Sequence, residues 1–278
     1  LQVVDLSQPL VPRGIVTFGD RVVFSGVSGN GREPWISDGT AAGTFELADV
    51  RAGSGDGIGL LEENFTVAGN QVFFTANDGI HGKELWVSDG TPGGTRLVVD
   101  LVPGSSNANP SQLTAVGSWV YFVASAAGAG TELWRSDGTT NGTTLVADLQ
   151  PGLAGSFPAN LTAAGTRLYF TAAVGGQREI HATSGTPAST SVVTQGAFGR
   201  LTPYSDLTHT AVGLFFLTDD LAGFGTELWL TDGTPTGTRR VFDVAPGQIS
   251  GVVPGTVAAV LGGSQVLFGG FGLDHGLQ

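Results

Sequence analysis

The chain repeats the stretch Glu84-Leu85-Trp86-Val87-Ser88-Asp89-Gly90-Thr91, which Gly94-Thr95 follows closely. Two further full copies begin at Glu132 and Glu227, and a copy with one substitution begins at Glu33. A decayed copy begins at Glu179. Self-similarity at a fixed period is the signature of a repeat architecture, so these copies set the frame for the rest of the chain.

Two other phrases recur with the same period. An apolar strand, a glycine turn and an aromatic strand precede each copy, as in residues 65–74. The turn glycines recur about every 48 residues, at Gly19, Gly69, Gly117, Gly165, Gly213 and Gly262 or Gly263. A third phrase, Arg96-Leu97-Val98-Val99-Asp100-Leu101, closes each unit, and it also stands at the start of the chain as Leu1-Gln2-Val3-Val4-Asp5-Leu6.

These phrases predict short antiparallel strands, because their β-branched and aromatic runs are separated by Gly, Asn, Asp and Pro. Six units of four strands predict an all-β chain that forms one domain over 1–278, a six-bladed β-propeller. The strand phrase at Leu1–Leu6 favours a closed ring, in which the N-terminal strand completes the last blade. A stacked solenoid is the competing architecture, but it would require polar caps.

The sixth unit is shorter than the others. It is expected to combine residues 1–6 with about 251–278, and it lacks the third strand and the Asp-Gly-Thr hairpin that follows it. Three explanations stand: a segment that the chain as given leaves out, cleavage, or a second polypeptide that completes the blade. The first two are favoured.

Composition excludes several classes of protein. The formal net charge is -12 and Lys83 is the single lysine, so a nucleic acid partner is excluded for want of a basic stripe. The chain has no cysteine, and no apolar run reaches the ~18 residues of a membrane helix, so membrane insertion is not expected. Because the chain begins at Leu1 and contains no methionine, we expect that a signal peptide has been removed. Low charge and many small polar residues indicate a secreted or cell-surface protein.

The Glu-Leu-Trp-x-x-Asp-Gly-Thr-x-x-Gly-Thr phrase resembles the bacterial repeat family named after that motif. The resemblance covers nearly the whole chain. It implies an extracellular or surface-associated repeat protein with a propeller-like fold, and it supplies no catalytic residue. The chain contains none of the common catalytic motifs of hydrolases, zinc proteases or phosphate-binding loops.

The repeated aspartates and tryptophans have a structural and a functional interpretation. An aspartate before Gly-Thr accepts backbone amides in a turn, and this is favoured over a calcium ligand or an acid catalyst. A tryptophan on a strand is expected to pack in the core, and this is favoured over an exposed sugar-stacking platform. His181 is expected to fill the tryptophan position of the decayed copy. The residues concerned are Asp38, Asp89, Asp137, Asp232, Trp35, Trp86, Trp134 and Trp229.

A carboxylate also recurs at the start of each third strand. It is expected to hold backbone amides or an arginine of the next blade, and this is favoured over a ring of carboxylates that binds a cation. The residues are Glu33, Glu84, Glu132, Glu179 and Glu227.

The loops between the second and third strands, and those between blades, vary from unit to unit. Recognition residues usually lie on variable loops of a regular scaffold. The predicted ligand-binding residues are His81, Phe157, Phe198, Tyr204, Phe224, Phe271 and His275. Asp78, Asp219 and Asp220 are the candidate ligands of a calcium ion, although no Asp-x-Asp-x-Asp loop is present and no cofactor is required.

Three functions follow as hypotheses. The favoured one is a non-enzymatic binding or adhesion propeller that recognises a glycan or a surface protein through its variable loops. The second is a polysaccharide hydrolase or lyase with a carboxylate pair, Asp219 or Asp220 with Asp206. The third is a structural module that docks a partner strand at the incomplete blade.

Overall fold

The computed structural model describes residues 10–59, 65–194, 207–219 and 226–242, together with four short strands between 258 and 277. The described residues form strands and turns, and the helical elements among them are two 3-10 turns, η1 (Pro92–Gly94) and η2 (Pro187–Ser189). Neither turn is long or apolar enough to span a membrane. The all-β prediction is confirmed.

Five four-stranded antiparallel sheets follow one another along the chain. Sheet I contains β1 (Arg13–Phe18), β2 (Arg21–Ser28), β3 (Gly31–Ser37) and β4 (Phe45–Glu46). Sheet II contains β5 (Thr66–Ala68), β6 (Gln71–Asn77), β7 (Lys83–Ser88) and β8 (Arg96–Val99). Sheet III contains β9 (Ser111–Val116), β10 (Trp119–Ala126), β11 (Gly130–Ser136) and β12 (Thr144–Ala147).

The remaining strands continue the pattern. Sheet IV contains β13 (Ala159–Ala164), β14 (Arg167–Val174), β15 (Gln177–Thr183) and β16 (Ser191–Val192). Sheet V contains β17 (Thr208–Thr210), β18 (Gly213–Asp219), β19 (Thr226–Thr231) and β20 (Arg239–Phe242). Two two-stranded sheets follow, β21 (Ala258–Ala259) with β22 (Val266–Leu267) and β23 (Phe271–Gly272) with β24 (Gly276–Leu277).

Each four-stranded sheet is a meander in which neighbours in the chain are neighbours in the sheet. The first strand joins the second, and the third joins the fourth, at one end of the sheet, which we call the turn end. The second strand joins the third at the opposite end, where the chain also passes to the next sheet. We call this the loop end.

Both faces of sheet II are buried by its neighbours. In β6, Phe74 packs in the cluster shared by sheets I and II, whereas Phe73 packs in the cluster shared by sheets II and III. Successive residues of a strand point to opposite faces, so a strand buried on both faces needs a continuous apolar run. The run Val72-Phe73-Phe74 meets this need, and all three side chains are buried.

The chain divides into two compact units. The first holds residues 1–145 and 152–154, with sheets I and II and most of sheet III. The second holds residues 146–151 and 155–278, with sheets IV and V and the two short sheets. Within the second unit, Tyr169, Ile180 and Phe216 belong to a core cluster shared by sheets IV and V.

The predicted number of blades is wrong for the described residues, which form five four-stranded sheets and not six. Beyond residue 250 the chain has no Trp and no Asp-Gly-Thr phrase, the residues that mark the third strand and its hairpin in the other units. The strands that the structure describes there pair in twos, β21 with β22 and β23 with β24. Residues 1–6, which were expected to close the last blade, lie outside the described residues.

Candidate functional site

The Asp-Gly-Thr phrase forms the same hydrogen-bonded turn in four sheets. In sheet II, Asp89 Oδ1 accepts a hydrogen bond from the Thr91 amide at 2.9 Å and one from the Thr91 hydroxyl at 2.6 Å. The Thr91 hydroxyl in turn accepts the Gly94 amide at 3.1 Å. The same contacts recur around Asp38, Asp137 and Asp232.

Three of these aspartates are exposed and Asp137 is half-buried, and the hydrogen bonds of all four favour the ionised form. The bond from the threonine hydroxyl is the main cause that lowers the pKa of Asp38, Asp89 and Asp232 below its ordinary value. Burial acts to raise the pKa of Asp137, but the bonds from Thr139 outweigh it. Within the described ranges, no three His, Asp or Glu side chains are grouped so as to hold a metal ion.

The aspartate carboxylate also explains why the residue five positions later is a glycine. A Cβ at Gly94 would overlap the Asp89 carboxylate, and Gly43, Gly142 and Gly237 lie equally close to their own aspartates. Sheet IV has Ser184 in place of the aspartate and Ser189 in place of the glycine. There the Ser189 hydroxyl accepts the Thr186 amide at 3.0 Å, the bond that the carboxylate accepts elsewhere.

The repeated tryptophans lie opposite a phenylalanine of the second strand. The pairs are Trp35 with Phe24, Trp86 with Phe74, Trp134 with Phe122 and Trp229 with Phe216. Trp86 is buried in the core between sheets I and II, and the other three rings are partly buried. His181 occupies the same position in sheet IV and stacks on Phe170, with ring centroids 5.4 Å apart. Burial lowers the pKa of His181 to about 4, so this ring is neutral at pH 7.

A buried glutamate fixes the connection at two loop ends. Glu33 accepts the amides of Val50 and Gly57, each at 2.9 Å, and thereby holds the connection from sheet I to sheet II. Glu84 accepts the amides of Leu101 and Ala108, each at 3.2 Å, in the connection from sheet II to sheet III. These contacts match the interpretation of the recurring glutamates as holders of backbone amides.

Burial raises the pKa of both glutamates to about 7, against the opposing effect of the backbone amides. A second carboxylate near each one adds to the rise, Asp49 for Glu33 and Asp100 for Glu84. The connections are therefore held by carboxyl groups that titrate close to neutral pH.

Asp78 and His81 lie together in the loop between β6 and β7. Asp78 Oδ1 accepts the amides of Ile80 and His81, both at 2.8 Å, and Asp78 Oδ2 lies 2.6 Å from His81 Nδ1. The Asp78 contact raises the pKa of His81. Burial acts to raise the pKa of Asp78, but the bonds from His81 and Ile80 outweigh it and lower that pKa. The Asp78 carboxylate is thus engaged within its own loop.

Phe157 lies in the connection from sheet III to sheet IV, and its side chain is 54% exposed. Its backbone has φ +47, and its carbonyl accepts a hydrogen bond from Arg178 Nη2 at 3.1 Å. Burial lowers the pKa of Arg178, and a guanidinium group stays charged at neutral pH. An exposed aromatic ring is thereby carried on a fixed backbone.

The other predicted loop residues lie outside the description of the structure. Residues Phe198, Tyr204, Asp206, Asp220, Phe224 and His275 are not among the described residues. Asp219 and Phe271 belong to β18 and β23, but the positions of their side chains are not described. The carboxylate pair of the hydrolase hypothesis is thus outside the described part of the chain.

The sequence-based prediction did not include three apolar residues that the structure exposes at loop ends. Val11 is 47% exposed, Ile80 67% and Leu153 83%. One signal was available in the sequence, because Val11-Pro12, Asn109-Pro110 and Phe157-Pro158 stand at the same point of three units.

No protein-family model and no curated protein matches the chain. Solved structures similar to it include a chain from a study of two prolyl endopeptidases, at TM-score 0.55 and 12% identity, covering 94% of this chain and 39% of that one. Oligopeptidase B from Leishmania major matches at TM-score 0.52 and 11% identity, covering 94% of this chain and 37% of that one. The β-propeller domain of the trilobed protease from Pyrococcus furiosus matches at TM-score 0.46 and 11% identity, covering 83% and 69%.

The chain spans half or less of several of these structures: 50% of TolB from Acinetobacter baumannii, 42% of a puromycin hydrolase and 39% of the prolyl endopeptidase. At such low identity the likeness concerns the fold alone. One of the matches is itself a β-propeller domain.

Proposed function

We propose that this protein is a non-enzymatic binding protein that recognises a glycan or a surface protein through the loop ends of its sheets. The observation that carries the proposal is the distribution of exposed apolar side chains. The described residues expose seven large apolar side chains, and four of them lie at loop ends: Val11, Ile80, Leu153 and Phe157. Exposed apolar groups that are concentrated in one type of connection favour recognition.

The turn ends support the same proposal by contrast. Their Asp-Gly-Thr turns have nearly identical sequences, and the hydrogen-bonding capacity of their key side chains is used within the turn. A uniform, self-contained turn suits a structural role. Variable side chains on a fixed connection suit selection of a ligand.

The proposal includes a location outside the cell. Its support is the resemblance of the repeat to a bacterial extracellular family, together with the low content of charged residues, 13%. On the repeated strand phrase alone, we also propose that residues 1–6 supply a strand to the last repeat unit and close the array.

A glycan array and a pull-down from a bacterial surface-protein fraction test the binding function. Any captured molecule is identified and rebound in pure form. The variant V11S/I80S/F157S should lose binding, whereas V212S, which changes an exposed valine at a turn end, should retain it. Blank results in both assays at millimolar ligand would reject the proposed function.

A further inference from the structure

Three sheets begin with the same backbone arrangement at their loop end. The carbonyls of Leu10, Ala108 and Ser156 accept an amide of the second strand of their own sheet, at 2.6, 2.8 and 2.8 Å. The next residue has a left-handed backbone in each case: Val11 at φ +42, Asn109 at φ +52 and Phe157 at φ +47. A proline follows each of them. We call the left-handed residue before proline the display position.

The display position turns its side chain outward. Ser156 and Pro158 are buried, yet Phe157 between them is 54% exposed. Asn109 is likewise exposed between buried Ala108 and Pro110. Folding alone would favour the reverse arrangement in sheet IV, with the phenylalanine buried and the serine in water.

Sheet II provides an internal comparison. Its carbonyl at Gly57 accepts the Asn77 amide at 2.8 Å, so Ile58 stands where the display position would be. Gly59 replaces the proline there, the backbone of Ile58 is not left-handed, and its side chain is fully buried. An exposed side chain at this position is therefore found together with a left-handed backbone and a following proline.

The arrangement at Phe157 is strained and held by a specific contact. A left-handed backbone is uncommon for a bulky residue, and such strain persists only where the surroundings enforce it. Arg178 does so through Nη2 to the Phe157 carbonyl at 3.1 Å and Nη1 to the Thr171 hydroxyl at 3.0 Å. Arg32 makes the equivalent contacts in sheet I, with the Val11 carbonyl at 3.2 Å and the Ser25 hydroxyl at 3.1 Å.

The chain around Phe157 indicates the chemistry of a ligand. Between Asp148 and Arg178 the only charged side chain is Arg167, which stands at the turn end of its sheet, in a protein whose net charge is -12. Amide side chains also lie at this loop end: Gln150 accepts the Gly175 amide at 3.0 Å, and Gln177 is exposed beside Arg178. A flat apolar ring with neutral amides suits the C–H face and the hydroxyl groups of an uncharged sugar.

We propose that the display position is the ligand-contacting position of this scaffold and that Phe157 is its aromatic contact for an uncharged oligosaccharide. This inference rests on the proposed binding function and names its ligand class. Arg178 is a positioning residue that fixes the backbone under the ring.

Calorimetric titration with cellohexaose, laminarihexaose and xylohexaose tests the inference, with hexagalacturonate as the charged comparison. We expect at least one neutral hexasaccharide to bind and F157N to weaken it at least tenfold. V212S, which changes an exposed valine at a turn end, should change the affinity less than twofold. R178K should weaken binding to the wild-type ring but cause no further loss in the F157N background.

Thermal unfolding provides a readout that is independent of the ligand. Asparagine tolerates a left-handed backbone, and this chain already uses it at Asn109, so F157N should melt at or above the wild-type temperature. A drop of several degrees would make Phe157 a structural residue and overturn the inference.

The binding results separate this inference from the proposed function. Binding that is unaffected by F157N, or that is confined to hexagalacturonate or to a surface protein, overturns the role of Phe157 and leaves the binding function standing. If no ligand binds in these titrations, in the array or in the pull-down, both the role of Phe157 and the proposed binding function are rejected.

Discussion

Individual side chains in the turns show why the repeated phrase requires particular residue types. The carboxylate of Asp89 fills the space above Gly94, so aspartate and glycine are required together. Sheet IV replaces both at once, and the hydroxyl of Ser189 accepts the amide bonds in place of a carboxylate. The two positions are therefore coupled, and a change at one alters the requirement at the other.

This coupling predicts a rescue in sheet II. Asp89→Ser should lower the free energy of unfolding by about 1 kcal/mol through lost capping bonds. Gly94→Ser should lower it by about 1–3 kcal/mol because the new side chain overlaps the carboxylate. The double variant should be more stable than the sum of the two losses predicts, since the new hydroxyl at position 94 can accept the Thr91 amide. Urea unfolding measures all three.

Gly93 is the control for this cycle, because a Cβ there would meet nothing within 4 Å. Gly93→Ser should cost little alone and should not rescue Asp89→Ser. If the stability losses of Asp89→Ser and Gly94→Ser simply add in the double variant, the hydroxyl at position 94 does not replace the carboxylate, and the predicted coupling is wrong.

Two buried carboxyl groups predict an unusual dependence of stability on pH. The pKa of Glu33 and of Glu84 is about 7 in the folded protein, above the ordinary value of 4.5. The folded state therefore holds more protons between those values, so stability falls as pH rises from about 4.5 to 7, on the order of 2 kcal/mol per group. Unfolding by urea should thus need less denaturant at pH 8 than at pH 5.

The double variant E33Q/E84Q should reduce this difference between pH 5 and pH 8. Asp20→Asn is the matched control, because the Asp20 side chain is 97% exposed. His181 works in the opposite sense, since its lowered pKa makes stability rise with pH up to about 6.5. His181 is present in the wild type and in both variants, so the difference between their pH dependences excludes the His181 contribution. A difference between pH 5 and pH 8 that is as large in E33Q/E84Q as in the wild type would contradict the assignment.

At the scale of the strand and its connection, the start of the third strand is fastened to the connection that follows its sheet. The amide of Lys83 donates to the Asn107 side chain at 2.8 Å, and a Cβ at Gly82 would overlap the Ser106 carbonyl. Gly31 and Asp56 repeat this arrangement in sheet I, where Asp56 accepts the Arg32 amide at 2.8 Å. Each of the two glycines closely approaches the backbone of the connection, so neither segment can shift easily to make room for a Cβ.

Two glycines of one loop test this fastening. Gly79 and Gly82 both have a left-handed backbone, but a Cβ at Gly79 would have its nearest neighbour at 3.5 Å. Gly79→Ala should cost about 1 kcal/mol of strain, and Gly82→Ala should cost at least about 2 kcal/mol more. Chemical denaturation compares them. A similar loss in both variants would mean that the approach to Ser106 does not constrain the loop.

The strands and turns were predictable because local chemistry determines them. Apolar runs such as Val72-Phe73-Phe74 and the Asp89-Gly90 turn need no knowledge of distant residues. Phe157 was predicted as a loop residue, but its left-handed backbone was not, because that backbone depends on Arg178, which lies 21 residues away. The exposure of Val11 and Ile80 likewise depends on how the connections fold, and apolar residues are expected inside.

For the whole molecule, the repeat period predicted a succession of six four-stranded sheets, and the described residues form five of them. Sheets I to V each contain a recognisable third strand, whereas the chain beyond residue 250 does not. A period counts units and gives no assurance that a unit is complete. The closure of the array by residues 1–6 remains a prediction that rests on one strand phrase.

Matched substitutions test that closure. Val3 stands in the phrase where Val98 stands in β8, and Val98 is 3% exposed in the core between sheets II and III. If residues 1–6 form the equivalent strand of the last unit, Val3→Ala should lower the free energy of unfolding about as much as Val98→Ala, by roughly 1–3 kcal/mol. Gln2→Ala is the control, because its counterpart Leu97 is only partly buried. A destabilising Val98→Ala beside a neutral Val3→Ala would show that the first strand phrase is not packed, and closure would then be wrong.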